Sequence, residues 1–256
     1  MKGRRRFLVL ALGAVLGVFV LDRFYVPPVL VYTRIDERPD DPKFNVSPDS
    51  FERQMEFLKA HRFQVLSLSD YLGILKEKKP IPKKSVVITF DGGTDDNFSR
   101  GYPVLRKMDF PATVFVATEK IGEPGYLDAE DLGIMVENRV EIGSRGRTDV
   151  FLAGLPAKAA EDEIAGSKAD LEKAIERPVA LFSYPGGGYT EETARLVEAA
   201  GYEGAVTTNR GGREPLDLYA LRRIRISRSC DNLFVFWFKT SGFYTWIEQK
   251  DRYQVP

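Results

Sequence analysis

The 256-residue sequence predicts an α/β domain built on a mostly parallel sheet. Two observations carry this. From residue 29 to residue 207, short apolar runs rich in Val, Ile and Phe alternate with segments of helical period, the pattern of repeated strand-helix units. The length also suits one substantial domain, with room to bury a sizeable core. Periodicity alone leaves open whether the sheet closes into a barrel.

The elements follow in order. Pro27-Pro28 breaks any preceding helix, and Val29–Tyr32 is a short apolar strand. A polar stretch covers residues 36–43. Ser47-Pro48 then supplies an N-cap and a first-turn proline, and Phe51, Met55 and Leu58 recur at helical spacing up to about Ala60. Strands are predicted over residues 63–66 and 85–90, with helices over 69–78 and 98–108. Ala112–Val116 is the next strand, followed by a helix over 128–137 and a strand over 140–142. A long helix over 156–175 carries Ile164, Leu171 and Ile175 on one side. A strand at 180–183, a helix over 190–200 closed by Gly201, and the strand Gly204–Thr207 complete the alternation. No internal repeat or low-complexity tract interrupts it.

The N-terminus has a different design. Met1-Lys2-Gly3-Arg4-Arg5-Arg6 precedes an uncharged apolar run from Phe7 to Leu21, then Asp22-Arg23. This is the layout of a secretory signal or signal anchor. As a helix the run spans only roughly 22 Å against a hydrocarbon core of about 30 Å, unless Phe24, Tyr25 and Val26 extend it. Gly17-Val18-Phe19-Val20-Leu21 offers no small-x-small cleavage site, which favours an uncleaved anchor. The expected organisation is a cytoplasmic stub and anchor over residues 1–26 and an extracytoplasmic domain over 27–256 on a single-pass protein of the cytoplasmic membrane. Overall charge recommends no polyanion: 37 Lys and Arg balance 37 Asp and Glu, so no nucleic-acid partner is expected. Cys230 is the single cysteine, which excludes an internal disulfide and a cysteine-based metal site.

In parallel α/β architectures the loops at the carboxyl ends of the strands share one face, where sites assemble. Three stretches fall there: Thr89-Phe90-Asp91-Gly92-Gly93, Glu141-Ile142-Gly143-Ser144-Arg145-Gly146-Arg147-Thr148-Asp149, and Phe182-Ser183-Tyr184-Pro185-Gly186-Gly187. Alone, the first is an ordinary turn before a helix, with Asp95 and Asp96 at its positive end. Together the three resemble the signature stretches of the polysaccharide deacetylase family. That family reads T-F-D-D-G in the first and H-[ST]-x-x-H in the second, and its second Asp and both His hold a divalent metal, typically zinc. The resemblance covers roughly residues 29–226 and implies a distorted (β/α) barrel, metal-dependent removal of N-acetyl groups and a cell-envelope polysaccharide as partner.

It also exposes departures. The three metal positions are occupied by Gly92, Arg145 and Asp149, of which only Asp149 offers a metal-binding side chain. Arg145 brings a charge that cannot be shed. Tyr32-Thr33-Arg34-Ile35 stands where relatives often read Y-H-x-I, and Ser183 stands where many have Arg. By the resemblance Asp91 is the general base, Gly186 marks the backbone that helps hold the oxyanion, and Tyr184, Pro185, Gly186 and Gly187 line the sugar groove. The expectation is a pseudoenzyme that keeps the groove and needs no metal, with Arg145 paired to Asp91 and Asp149 and Asp91 silenced as a base. The rival is an active hydrolase with a rearranged site, for instance an all-carboxylate set of Asp91, Asp95, Asp96 and Asp149. A third reading is a structural partner of an active deacetylase or a glycan-synthesis complex.

Three features sit outside this core. His61, the single histidine, follows a helix and is expected to cap it. Arg222, Arg223, Arg225 and Arg228 alternate in part with apolar residues, as in a strand with one solvated face; Arg223 has the alternative of reaching the Asp91 side of the groove. Leu233-Phe234-Val235-Phe236-Trp237-Phe238 is apolar throughout and is expected as buried closure of the domain.

Overall fold

A computed structural model describes residues 26–37, 42–209, 217–242 and 244. The predicted N-terminal anchor lies outside the described residues.

Among the described residues ten strands run in chain order: β1 (Val29–Tyr32), β2 (Arg34–Ile35), β3 (Asn45–Val46), β4 (Gln64–Leu66), β5 (Ser85–Asp91), β6 (Ala112–Val116), β7 (Val140–Ser144), β8 (Leu181–Ser183), β9 (Gly204–Thr207) and β10 (Leu221–Arg225). Neighbours follow the order β1-β10-β9-β8-β7-β6-β5, and β5 pairs back onto β1. The sheet therefore closes into a seven-stranded parallel barrel, with β4 added alongside β5. Closure answers the question that periodicity left open. The ring is weakest between β7 and β8, which share one register pair, Ser144 with Phe182.

Side-chain alternation divides the strands into two cores. Val29, Val87, Phe115, Leu181, Val206 and Leu221 point into the barrel and meet Leu68, Tyr71 and Leu72. Those three belong to α2 (Leu68–Lys76), which follows α1 (Pro48–Ala60) and plugs the amino-terminal end of the barrel. The alternate residues, among them Leu30, Tyr32, Ile88, Phe90, Val114 and Phe182, face outward against the helical layer. Gly143 makes room inside: a Cβ there would stand 2.5 Å from the Phe115 ring and 3.0 Å from the Leu181 carbonyl oxygen. Gly143→Ala is expected to cost about 1–3 kcal/mol in denaturant unfolding, because neither neighbour has space to retreat.

The outer layer begins with α1, whose N-cap Ser47 accepts a hydrogen bond from the Ser50 N–H at 3.2 Å. Phe51, Met55 and Leu58 are buried as their spacing predicts, with Phe51 edge-on to Tyr32 at 5.1 Å. His61 occupies the C-cap position of α1, its Nδ1 2.9 Å from the Phe57 carbonyl. The helix expected over 98–108 divides instead into a wide π-turn over Asn97–Gly101 and α3 (Tyr102–Met108). Pro103 is the reason: it lacks an N–H and its ring collides with the preceding turn, so the widened backbone absorbs it. The helices α4 (Ala129–Glu137), α5 (Ala157–Ile175) and α6 (Glu191–Ala199) fall where the pattern predicts.

Two expectations are overturned. The aromatic run forms α7 (Leu233–Thr240), in which Phe236 and Thr240 are buried while Phe234, Trp237 and Phe238 are exposed. Residues four apart share the buried face, and the other three aromatics turn outward. In β10 no arginine-bearing face is simply solvated: Arg223 points inward and is 3% exposed, whereas Arg225 is exposed at the strand's end.

Candidate functional site

At the carboxyl end of the barrel three inward positions from different strands meet: Asp91 closes β5, Ser183 closes β8, and Arg223 comes from β10. Arg145, immediately after β7, joins them from the loop above. The Asp91 carboxylate is clamped from two sides. Arg223 binds it through both terminal nitrogens, Nη1 to Oδ1 at 2.6 Å and Nη2 to Oδ2 at 2.7 Å. Arg145 Nη1 donates to Oδ2 at 2.7 Å, and Arg145 Nε donates to Asp149 Oδ1 at 2.7 Å. Ser183 Oγ donates to Asp91 Oδ1 at 3.2 Å and accepts from Arg145 Nη1 at 3.1 Å and Arg223 Nη2 at 2.9 Å.

Two carboxylates and two guanidiniums thus share one network, and their formal charges cancel. Arg223 is the more deeply enclosed cation: its side chain is wholly buried, its Nη1 lies 3.3 Å from Thr89 Oγ1, and it stands 5.5 Å over the Phe115 ring. A paired, bidentate geometry is what makes such burial tolerable. Burial pushes the Asp91 carboxyl up, but Arg145 and Arg223 together outweigh it and hold the group below the ordinary carboxylate range. Burial weakens the Arg145 cation, and Asp91 and Asp149 more than restore it. For Arg223 burial prevails over Asp91 and lowers its value, yet a guanidinium stays charged at any ordinary pH. Asp149 differs. Burial and the neighbouring Asp91 charge raise its carboxyl despite Arg145, and with its side chain 38% exposed it faces solvent at the site's rim.

The donor set does not suit a zinc ion. Both candidate carboxylates already accept from Arg145, and Gly92 has no side chain. Among the described residues no three His, Cys, Asp or Glu side chains gather at a spacing that would hold a metal. The all-carboxylate alternative separates in space: Asp95 is exposed, and buried Asp96 turns to the Ile35 N–H and towards Arg34. Backbone conformation reinforces the point, since Gly92 sits at φ 100° and Gly93 at φ 60°, where a Cβ on Gly93 would meet Val116.

The glycine loop departs from the expected side-chain lining. Tyr184 is buried, and its hydroxyl donates to the Tyr219 carbonyl at 2.9 Å; Pro185 and Gly187 are buried as well. Only Gly186 of the four is exposed. Tyr184 alternates with the inward Ser183 and so lies outside the barrel wall, packed edge-on against Phe182 at 5.5 Å. Sequence reasoning missed Thr89 and the positive role of Ser183. The period of two that puts Asp91 inside the barrel puts Thr89 there too, so the signal was present.

The sequence pattern of the family described as Polysaccharide deacetylase matches residues 78–205. YxkH of Bacillus subtilis is 32% identical over 201 residues, covering 78% of this chain and 71% of the relative. The poly-beta-1,6-N-acetyl-D-glucosamine N-deacetylase of Staphylococcus epidermidis is 27% identical over 200 residues, covering 72% of this chain and 68% of that one. Among solved structures, the Streptococcus pyogenes deacetylase PplD in complex with acetate superposes with a TM-score of 0.75 at 26% identity, over 82% of this chain and 99% of the other. The seven-stranded barrel and the three stretches at its carboxyl end are accounted for together: the chain belongs to the polysaccharide deacetylase family.

Proposed function

We infer that this family member binds an N-acetylhexosamine glycan of the cell envelope and does not deacetylate it, because a guanidinium stands where the family's metal would act. One observation carries the reading: Arg145 bridges Asp91 and Asp149 with 2.7 Å bonds on both sides. By resemblance these residues occupy a metal position, the general-base position and a second metal position. A single fixed positive charge compensates the acids but has no open coordination site for water and cannot generate a hydroxide at neutral pH. Asp91, held ionised between two cations, is also a poor proton acceptor. Arg223 deepens the case. The cation that many relatives carry at position 183 comes here from β10, leaving the acid fully clamped.

The glycan class rests on the substrate named for the Staphylococcus epidermidis relative and on the shared barrel scaffold. The basic stub and apolar N-terminal run support placing the domain outside the cytoplasmic membrane, tethered to it. The exposed row Phe234, Trp237 and Phe238 favours a second role, as a contact for a protein partner in a glycan-handling complex. The test is a titration of the full-length protein with a β-1,6-linked N-acetylglucosamine hexamer in the presence of a chelator. The expected result is saturable binding that the chelator leaves unchanged, with no acetate released. Acetate release that the chelator abolishes is the result that contradicts the reading.

A further inference from the structure

Phe151 is a large apolar side chain in an unusual place. It is 54% exposed, and it lies two residues beyond Asp149, the carboxylate bonded to Arg145. Its neighbours fix that pose. Val150 packs against the core and Leu152 is fully buried, so Phe151 is held outward between two anchors. The ring rests on the glycine loop. A Cβ on Gly188 would stand 2.1 Å from its Cε2, and one on Gly186 would stand 3.3 Å from its Cδ2. The absence of side chains at 186 and 188 is what lets the ring lie against the loop backbone, with its remaining surface open to solvent.

A single exposed apolar side chain is unremarkable by itself. Here a supported aromatic surface rests against the exposed Gly186 backbone, two residues along the chain from an exposed carboxylate, Asp149. An aromatic ring offers large rigid contact area at low conformational cost, and a half-apolar ligand satisfies both it and the nearby acceptor. A pyranose whose substituents are all equatorial has this shape: its faces carry only C–H groups and its rim carries hydroxyls. We propose that Phe151 is the aromatic platform of a sugar subsite on the 186–188 glycine loop next to Asp149, and that it stacks against the C–H face of a glucosamine-type pyranose. The proposal rests on the glycan-binding reading and specifies which surface holds the sugar.

The test compares wild type with Phe151→Ala, Phe151→Leu and Phe151→Trp in the full-length protein, titrated with N-acetylglucosamine hexamers of β-1,4 and β-1,6 linkage. Melting temperatures control for folding. Phe151→Ala is expected to weaken binding about tenfold, Phe151→Leu to weaken it nearly as much despite covering the loop, and Phe151→Trp to retain or tighten it, with each variant melting close to wild type. Wild-type affinity in both the Ala and Leu variants overturns the platform while leaving glycan binding intact. Leu matching Phe while Ala fails assigns the residue to loop packing and likewise overturns it. If wild type binds neither hexamer, the glycan-binding reading fails and the platform falls with it.

Discussion

Asp91→Ala is expected to destabilise the protein by about 3–5 kcal/mol, because it leaves the wholly buried Arg223 guanidinium without its bidentate partner. For a chain of this size that lowers the melting temperature by roughly 6–20 °C. Arg145→Met is expected to cost much less, since Asp91 keeps Arg223 and the half-exposed Asp149 is free to hydrate. The difference separates a structural from a catalytic Asp91. A general base poised over a groove can be removed at little cost in stability, whereas the centre of a buried charge network cannot. The pH dependence has a definite sign. Asp91 has a lowered value in the folded state, so its contribution is complete above the unfolded carboxylate value of about 3.9 and is lost as pH falls through the lower folded value. The gap between wild type and Asp91→Ala should therefore be constant near neutrality and close only in acid. Equal melting temperatures at pH 7 would contradict a structural role for the clamp.

The second large effect is a gain of function. Replacing Gly92→Asp, Arg145→His and Asp149→His together should create a site that holds about one zinc ion. The backbone makes the three changes unequal. Asp149 already sits at φ 62°, in the left-handed region that His, Asn and Asp visit more readily than other residues, so His fits there. Arg145→His removes the competing cation and frees both carboxylate positions. Gly92 is the hard one. At φ 100° an aspartate is strained, although the nearest atom to its Cβ would be Thr94 Cγ2 at 3.9 Å, so conformation and not space is the obstacle. The triple variant is expected to bind zinc more weakly than an unstrained site would, and zinc should raise its melting temperature in proportion to occupancy. A folded triple variant that binds none would mean that the supporting groups around the ligands have been lost as well.

Much of this arrangement was legible in the residues. Alternation of strand and helix patterns located nearly every element, and the strand-end rule brought Asp91, Arg145 and the 183–187 loop to one face. What stayed hidden has physical causes. Barrel closure depends on β5 pairing back to β1, a long-range contact with no local signature, so periodicity left it open and only the family resemblance pointed to it. The two-residue strands β2 and β3, which pair with each other, are too short to show a period. Arg223 stood among several arginines on one strand, and its reach to Asp91, which the structure shows, was only the second of two readings. Only the register that sets Leu221, Arg223 and Arg225 on the inward side distinguishes it from Arg222. Phe151 gave no signal either, since nothing in a Val-Phe-Leu run says which of the three points outward.

The claim that a guanidinium has taken the place of a metal is tested most directly by metal content. Full-length wild-type protein is loaded with zinc, desalted and assayed for metal per chain, with the triple variant measured alongside as the positive comparison. The account predicts no retained zinc in wild type, because Arg145 satisfies both carboxylates and repels a divalent cation. Close to one tightly held zinc per wild-type chain would contradict it.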